Sequence, residues 1–310
     1  MNPGIVVVGS LNMDFVINVD SLPAPGETVL GTNFAMIPGG KGANQANAAG
    51  RLAVSHRVKM VGRVGYDVFA DHLKASLSAG GVDVSGVVAT RAQPTGTAFI
   101  WVDRQGQNSI VVASGANHSL LPADLTSFGG AGYALFQLET PLPTVAAGLK
   151  LARREGVQTI LDPAPAQHLP PDLLAAVDIL TPNEGEAATL LGRKVSRISI
   201  AEAPALAAAV LELGARSVIL KLGDQGCFYR DARTAMYAPA FGVEARDATA
   251  AGDTFNAALA VALAENQPIQ TALRFANAAA AISVTRHGAQ SSAPSRMEVE
   301  QMLQEQGLSG

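Results

Sequence analysis

Two aspartates lie six positions apart in the stretch DATAAGDTFN, residues 247–256, with only alanine, glycine and threonine between them. The run AALAVALAEN that follows is rich in strong helix formers. An Asp at a helix entrance is an ordinary N-cap, because its carboxylate accepts orphan backbone N–H bonds and suits the helix dipole. Capping gives no reason for the small residues just before Asp253, or for the second acid, Asp247. A second reading turns the amides of Ala251, Gly252 and Asp253 outward at the helix N-terminus as a nest for a transferring phosphoryl group. Asp253 beside that nest would take the proton of an attacking hydroxyl. Phosphoryl transfer asks for those parts: positioning, positive potential, and a base near the nucleophile.

Five other stretches carry groups of the same kind. Asn12 and Asp14 of NMD follow the first strand, where they suit hydrogen bonds to neutral hydroxyls or, equally, an Asx-turn. In PGGKGANQAN, residues 38–47, Gly40 and Gly42 allow a tight turn and close backbone approach, while Lys41 and Asn44 can hold hydroxyls at a helix start. This is no Walker A loop, since the required gap and Gly-Lys-Ser/Thr ending are missing. QLE leaves Glu139 at the carboxyl end of a predicted strand, the edge where α/β sheets bind ligands. In TPNEGE, Asn183 and Glu186 form either a capping box or a site for magnesium-bound water and phosphate. In KLGDQGC, Gly223 and Gly226 either lay amides along a nucleotide or simply turn the chain into a further strand, CFYR.

The bulk composition narrows the classes. The chain has 310 residues, is 48% hydrophobic and 15% charged, and carries a formal net charge of −4 without a basic cluster. Counter-charge binding to nucleic acid is not expected, so any phosphate site must be local. Cys227 is the one cysteine, which excludes an intrachain disulfide and a cysteine-based zinc site. The five histidines are scattered without metal-ligand spacing and read as surface or loop residues. Asn117-His118-Ser119 matches a glycosylation sequon, but MNPGIVVVGS lacks the features of a secretory signal. No apolar run approaches spanning length, so a cytoplasmic protein with no membrane partner is expected.

The elements that must position these residues alternate. Buried strands are predicted at 5–9, 58–62, 134–139, 159–163, 178–183 and 217–223. Helices are predicted at 42–54, 67–79, 143–155, 184–191 and 202–213, then at 253–264, 268–284 and 295–305. That order predicts a doubly wound α/β fold, a mostly parallel sheet with helices on both faces. Two segments interrupt it: strands at 14–19 and 27–36 split by SLPAPG, and a hairpin at 95–102 and 108–113 split by DRQGQ. They form either a small projecting β-sheet or two edge hairpins of the main sheet. The chain is expected to be a single domain over 1–310, with a lid from segments at about 12–38 and 94–113.

Taken together, the chain resembles the ribokinase-like (PfkB-type) sugar kinases. The resemblance rests on GSLNMDFVINVDSLPAPGETV, GGKGANQANAAGR, QLETP, TPNEGEA, KLGDQG, DATAAGDTFNAAL and RFANAAAAISVTRHGAQSSAP, which run from residue 9 to about 294. It implies ATP-dependent phosphorylation of the 5-hydroxyl of D-ribose, with Mg²⁺ carried by ATP. It implies that Asn12, Asp14, Gly40, Lys41, Asn44 and Glu139 hold the sugar. Asn183, Lys221 to Gly226 and Asn277 then match nucleotide positions, Glu186 the magnesium motif, and Ala251, Gly252 and Asp253 the anion hole and base. The resemblance also accounts for Asp247. Together with Thr249, Ser283, Arg286 through its carbonyl, Gly288 and Ser292, it matches a site for a monovalent cation, usually potassium. A homodimer formed through the small β lid is implied as well.

Two residues depart from the family pattern. Ala248 stands where members commonly have Thr, and Asp162 where many have Asn. Rival expectations are the same chemistry on deoxyribose, fructose, a ketodeoxy sugar acid or a nucleoside, or a sugar-binding sensor without catalysis. A nicotinamide-dependent oxidoreductase would need the G-x-G-x-x-G fingerprint after the first strand, and GSLNMDF lacks it.

Overall fold

The run IVVV carries no polar residue because both faces of its strand are covered. In a computed structural model, which describes residues 3–105, 107–194 and 197–307, this run forms β1 (Gly4–Val8). The chain continues through β2 (Asn12–Val19), β3 (Gly31–Gly39), α1 (Lys41–Leu52), β4 (Val58–Gly65), α2 (Val68–Ala79) and β5 (Val82–Thr90). Next come β6 (Gly96–Val102), β7 (Asn108–Ala113), β8 (Ala131–Phe136), α3 (Leu142–Glu155), β9 (Gln158–Leu161), α4 (Pro171–Leu174) and β10 (Ile179–Leu180). The remainder is α5 (Glu184–Leu190), α6 (Ala203–Leu211), β11 (Ser217–Lys221), β12 (Cys227–Asp231), β13 (Ala235–Ala238), α7 (Ala251–Ala264), α8 (Ile269–Val284) and α9 (Arg296–Gly307).

Nine strands form one sheet in the order β13-β12-β11-β10-β9-β8-β1-β4-β5. It is parallel from β11 to β5, and only β12 and β13 run against their neighbours. Alternation along each strand separates two cores. Ile5, Val7, Leu135, Ile160 and Ile219 pack with Ala43, Ala46 and Ala49 of α1 and the alanines of α7 and α8. Val6, Val8, Phe136, Leu161, Val218 and Leu220 pack on the other face, with Val145, Leu149 and Ala152 of α3 and Ala203, Ala207 and Val210 of α6. The doubly wound reading therefore holds.

The interrupting segments form a separate sheet, in the order β3-β2-β6-β7. The arrangement as edge hairpins of the main sheet is not found, because β2 pairs in parallel with β6 and both hairpins belong to the same sheet. Phe15 of β2 anchors it by an edge-on contact with Phe69 of α2, ring centroids 5.5 Å apart. Strand β5 was not anticipated, since VDVSGVVAT carries polar residues suited to an edge position rather than an apolar run. Among the described residues no helix is long and apolar enough to cross a membrane.

Candidate active site

The chain leaves β1 toward β4 on one side and returns to β8 on the other, so β1 is a topological switch point. Beyond the carboxyl ends of β1 and β8 lie Gly9 and Ser10, and Gln137 to Glu139. The glycine turn enters from β3, and Gly40 adopts φ +88°. A Cβ there would lie 2.7 Å from the Asn12 amide nitrogen, so glycine alone lets the turn sit against β2. Ser10 Oγ and the Lys41 amide, at 3.1 Å, both donate to Glu139 Oε2, which ties the turn to the sheet edge.

Asp253 lies in this pocket, on the first turn of α7, and it does not cap that helix. The N-cap is Ala250 in the left-handed region, φ 58°, with no side-chain cap bond. The Asp253 carboxylate instead accepts from Asn44 Nδ2 at Oδ2 and from Gln45 Nε2 at Oδ1, each at 3.0 Å. Burial pushes its pKa up to about 6; Lys41 opposes the rise, Asp162 adds to it, and the Asn44 and Gln45 bonds oppose it. The Ala251 amide is turned back onto Ala248 O at 3.2 Å. Among the described residues, the amides of Gly252 and Asp253 have no hydrogen-bond partner, and these two are the donors left at the α7 N-terminus.

The hydroxyl-holding candidates converge on the same space. Asp14 sits over Gly39, where a Cβ would meet its Oδ2 at 2.0 Å. Burial, then the charges of Glu139 and Asp253, raise its pKa to about 7. Asn12 makes no Asx-turn: its Oδ1 accepts from Asn117 Nδ2 at 2.7 Å. Asn117 also bonds the Leu11 amide and carbonyl, so the sequon asparagine is buried and serves to orient Asn12. Burial alone would lower the Lys41 pKa, but Asp253, Asp162, Glu139 and Glu186 outweigh it and hold the ammonium charged.

Asn183 and Glu186 form a complete capping box at α5, with Glu186 N donating to Asn183 Oδ1 at 2.8 Å and Asn183 N to Glu186 Oε2 at 2.7 Å. The bonds leave further lone pairs on Glu186, and burial raises its pKa. Among the described residues no cluster of three acidic, His or Cys side chains could hold a metal alone. A single carboxylate suits a Mg²⁺ that arrives on phosphates with its waters. Lys221 ends β11, and Gly223 and Gly226 turn the chain into antiparallel β12. Gly226 packs on Ala238 O, and Asn277 Nδ2 donates to Ala238 O and Pro239 O at 3.1 and 3.0 Å. Asn277 thus braces the strand behind the turn.

A family model for pfkB family carbohydrate kinases matches residues 2–296. The chain is 43% identical over 303 residues to the ribokinase of Bacillus subtilis, covering 96% of this chain and 99% of that protein. The ribokinase of Thermotoga maritima superposes with a TM-score of 0.88 at 40% identity, covering 97% of this chain and 99% of that one. Arabidopsis thaliana ribokinase, solved with ribose and ATP, superposes with a TM-score of 0.89 at 33% identity, covering 98% and 99%. The chain belongs to the pfkB family of carbohydrate kinases.

The remaining residues singled out for this pfkB-family chain lie behind the α7 N-terminus. Asp247 Oδ1 accepts from Thr249 N and Oδ2 from Gly288 N, each at 2.9 Å, which joins the two loops. Burial would raise the Asp247 pKa, but the bonds from Thr249 and Gly288 outweigh it and keep the carboxylate ionised. The carbonyl of Val284, next to Ser283, accepts from the amides of Arg246 and Asp247. Arg286 turns its head away to Glu298, leaving its backbone at the loop. The hydroxyls of Ser283 and Ser292 donate to Ala280 O and Ala289 O within their own segments. Residues that the motifs did not reveal are Ser10, Gln45, Gln137 and Asn117. Gln45 and Asn44 are neighbours on α1, and that adjacency was the one available signal.

Proposed function

We propose that this pfkB-family kinase transfers the γ-phosphoryl group of ATP to the 5-hydroxyl of D-ribose, giving ribose 5-phosphate and ADP. The observation that carries the reading is the Asp253 carboxylate, buried at the α7 N-terminus, held by Asn44 and Gln45 and facing the glycine turn. The relatives named ribokinase, and the neighbour that binds ribose and ATP, support ribose over other sugars.

In this reading Asp14, Asn12, Glu139, Asn44 and the Gly40–Lys41 backbone hold the sugar hydroxyls and place the 5-hydroxyl against Asp253. Asp253 takes the hydroxyl proton as the sugar oxygen bonds to the γ-phosphorus and the bond to the ADP oxygen breaks. The Gly252 and Asp253 amides and the α7 dipole stabilise the charge on the transferring group, with Ala251 shaping the turn; a donor of this kind is worth about 2.7–4 kcal/mol of barrier. Lys41 and Lys221 supply positive potential. Asn183 and Glu186 would hold the Mg²⁺ carried by ATP, which would supply neutralisation of phosphate charge. The Gly223–Gly226 turn and Asn277 border the nucleotide.

The Asp247 loop, with Thr249, Ser283, Arg286, Gly288 and Ser292, would hold a monovalent cation, potassium in the family pattern, which would shape the anion nest from behind. The small sheet serves as the lid of a single domain. Its edge strand β7, where Ile110, Val111 and Val112 are exposed, supports dimerisation through it. Buried Cys227 and the absence of other cysteines support a reducing, cytoplasmic setting.

A panel of ribose, deoxyribose, fructose, a ketodeoxy sugar acid and nucleosides, assayed for ADP release, tests the reading. The expected result is highest kcat/KM on ribose. Equal or better turnover of fructose or adenosine would reassign the substrate, and no ADP release on any of them would favour the non-catalytic sensor.

A further inference from the structure

A buried polar chain runs behind the base and includes groups that the reaction above leaves unused. Gln45 is 1% exposed and presents Nε2 to two carboxylates at once, Asp253 Oδ1 at 3.0 Å and Asp162 Oδ2 at 3.1 Å. Its Oε1 accepts from Gln137 Nε2 at 2.6 Å. Charge dictates this orientation, since a flipped amide would aim its oxygen at both acids. Gln137 is fully buried, and its own Oε1 has no partner among the described residues. It is wedged against Gly9, where a Cβ would meet that oxygen at 2.0 Å. Gln137 therefore has one amide end engaged, and that end fixes Gln45.

The chain continues to the anion nest. Asp162 Oδ1 accepts from Lys221 Nζ at 2.9 Å, with both side chains largely buried. That Nζ lies 3.3 Å from where a Cβ on Gly252 would stand. A buried ammonium needs a partner carboxylate, and a second carboxylate next to the base needs a donor between them. Gln45 is that donor.

We propose that Gln45 is a positioning residue: it fixes the Asp253 carboxylate and couples it, through Asp162, to the Lys221 ammonium beside the Gly252 amide. This rests on the reading of Asp253 as the base. Gln45 and Asp162 act on that base in opposite senses. The Gln45 hydrogen bond favours its ionised form, whereas the Asp162 charge disfavours it. Loss of each must therefore move the base in opposite directions, which a merely structural role would not do.

The test is kcat against pH, with the sugar the unmodified protein uses best, for Gln45→Leu, Asp162→Asn and the control Asp253→Asn. The expected result is an acid limb moved up by about one pH unit in Gln45→Leu and down by about one unit in Asp162→Asn. Limbs that stay in place, or that move in the same direction, overturn the proposal. Should Gln45→Leu not fold, Asp162→Asn decides alone, and a limb that stays or rises overturns it. Full turnover in Asp253→Asn would instead remove the base assignment itself, so the two failures are told apart.

Discussion

Asn44 donates its side-chain amide to Asp253 Oδ2 at 3.0 Å, across 209 positions of sequence. The bond joins the first turn of α1 to the first turn of α7, and both turns follow runs of small residues. Those small residues let the two helix N-termini approach the same pocket, so that one helix orients the carboxylate that the other carries. The carboxylate keeps further lone pairs, and the unpartnered Gly252 and Asp253 amides lie beside it.

Replacing Asp253 by Asn keeps the shape and removes the carboxylate proposed as the base. Turnover is expected to fall by about 10²–10⁴, while sugar affinity stays within a few-fold because hydrogen-bonding capacity at the position remains. ADP-release kinetics and calorimetric titration with ribose check both parts. Unchanged turnover would take Asp253 out of the reaction.

Activity and stability are expected to run in opposite directions with pH. Burial raises the Asp253 pKa to about 6, so the ionised form of the proposed base is lost below that pH and kcat is expected to fall on the acid side. For stability, burial raises Asp14 and Asp253 from 3.8 to about 7 and about 6, so between pH 4 and 7 these two groups hold more protons in the folded chain than in the unfolded one. Their contribution is full below about pH 4 and is lost as pH rises through 6 to 7. Asp14→Asn removes one of the crowded charges, and is expected to raise the melting temperature at pH 8 more than at pH 5, by about 1.5 °C for each kcal/mol gained. The same variant should raise the KM for the sugar. A melt measured at both pH values, with no difference in the gain, would remove Asp14 from the buried acid cluster.

The main sheet was legible because buried parallel strands are apolar without interruption, as in Ile5 to Val8 and Val218 to Leu220. Strand β5 was not, because a strand at the sheet edge carries residues such as Asp83 and Ser85 and loses that signal. The glycine turn of the candidate site was legible for a similar reason: Gly40 and Gly42 have no role in a plain helix start, and both prove to sit against neighbouring backbone. Asn117 was hidden behind a sequon, and its work on Asn12 depends on a contact 105 positions away. Gln45 and Gln137 were hidden because a glutamine in a helix or after a strand has no characteristic spacing. The N-cap reading of Asp253 failed since the left-handed Ala250 starts α7 three residues earlier.

The Asp247 loop gives a prediction about ions. Its carboxylate ties Thr249 N to Gly288 N immediately behind the α7 N-terminus, so a cation bound there would set the position of the Gly252 amide. Turnover in potassium is expected to exceed turnover in sodium or in a bulky organic cation at equal ionic strength. Asp247→Ala should lower turnover in potassium and flatten the difference between the ions. Equal rates in the unmodified protein would leave Asp247 as a loop tie alone, and the missing hydroxyl at Ala248 would be the residue to restore first.

The small sheet gives the last prediction. Phe15 faces α2, with Phe34 and Phe99 stacked on it at 6.1 and 5.3 Å, so one side of the sheet is held by aromatic contacts. Ile110, Val111 and Val112 stay exposed, which alternation would not require of three successive residues in a strand with one covered face. An apolar strand left open to water is a liability unless another surface covers it. Placing a charge there, as in Ile110→Asp, is expected to convert a dimer to a monomer by light scattering at unchanged protein concentration. Because this sheet also carries Asn12 and Asp14 at its root, loss of the dimer should raise the KM for the sugar more than it lowers kcat. An Ile110→Asp protein of unchanged mass, or an unmodified protein that is already monomeric, would assign this face to something other than a second copy.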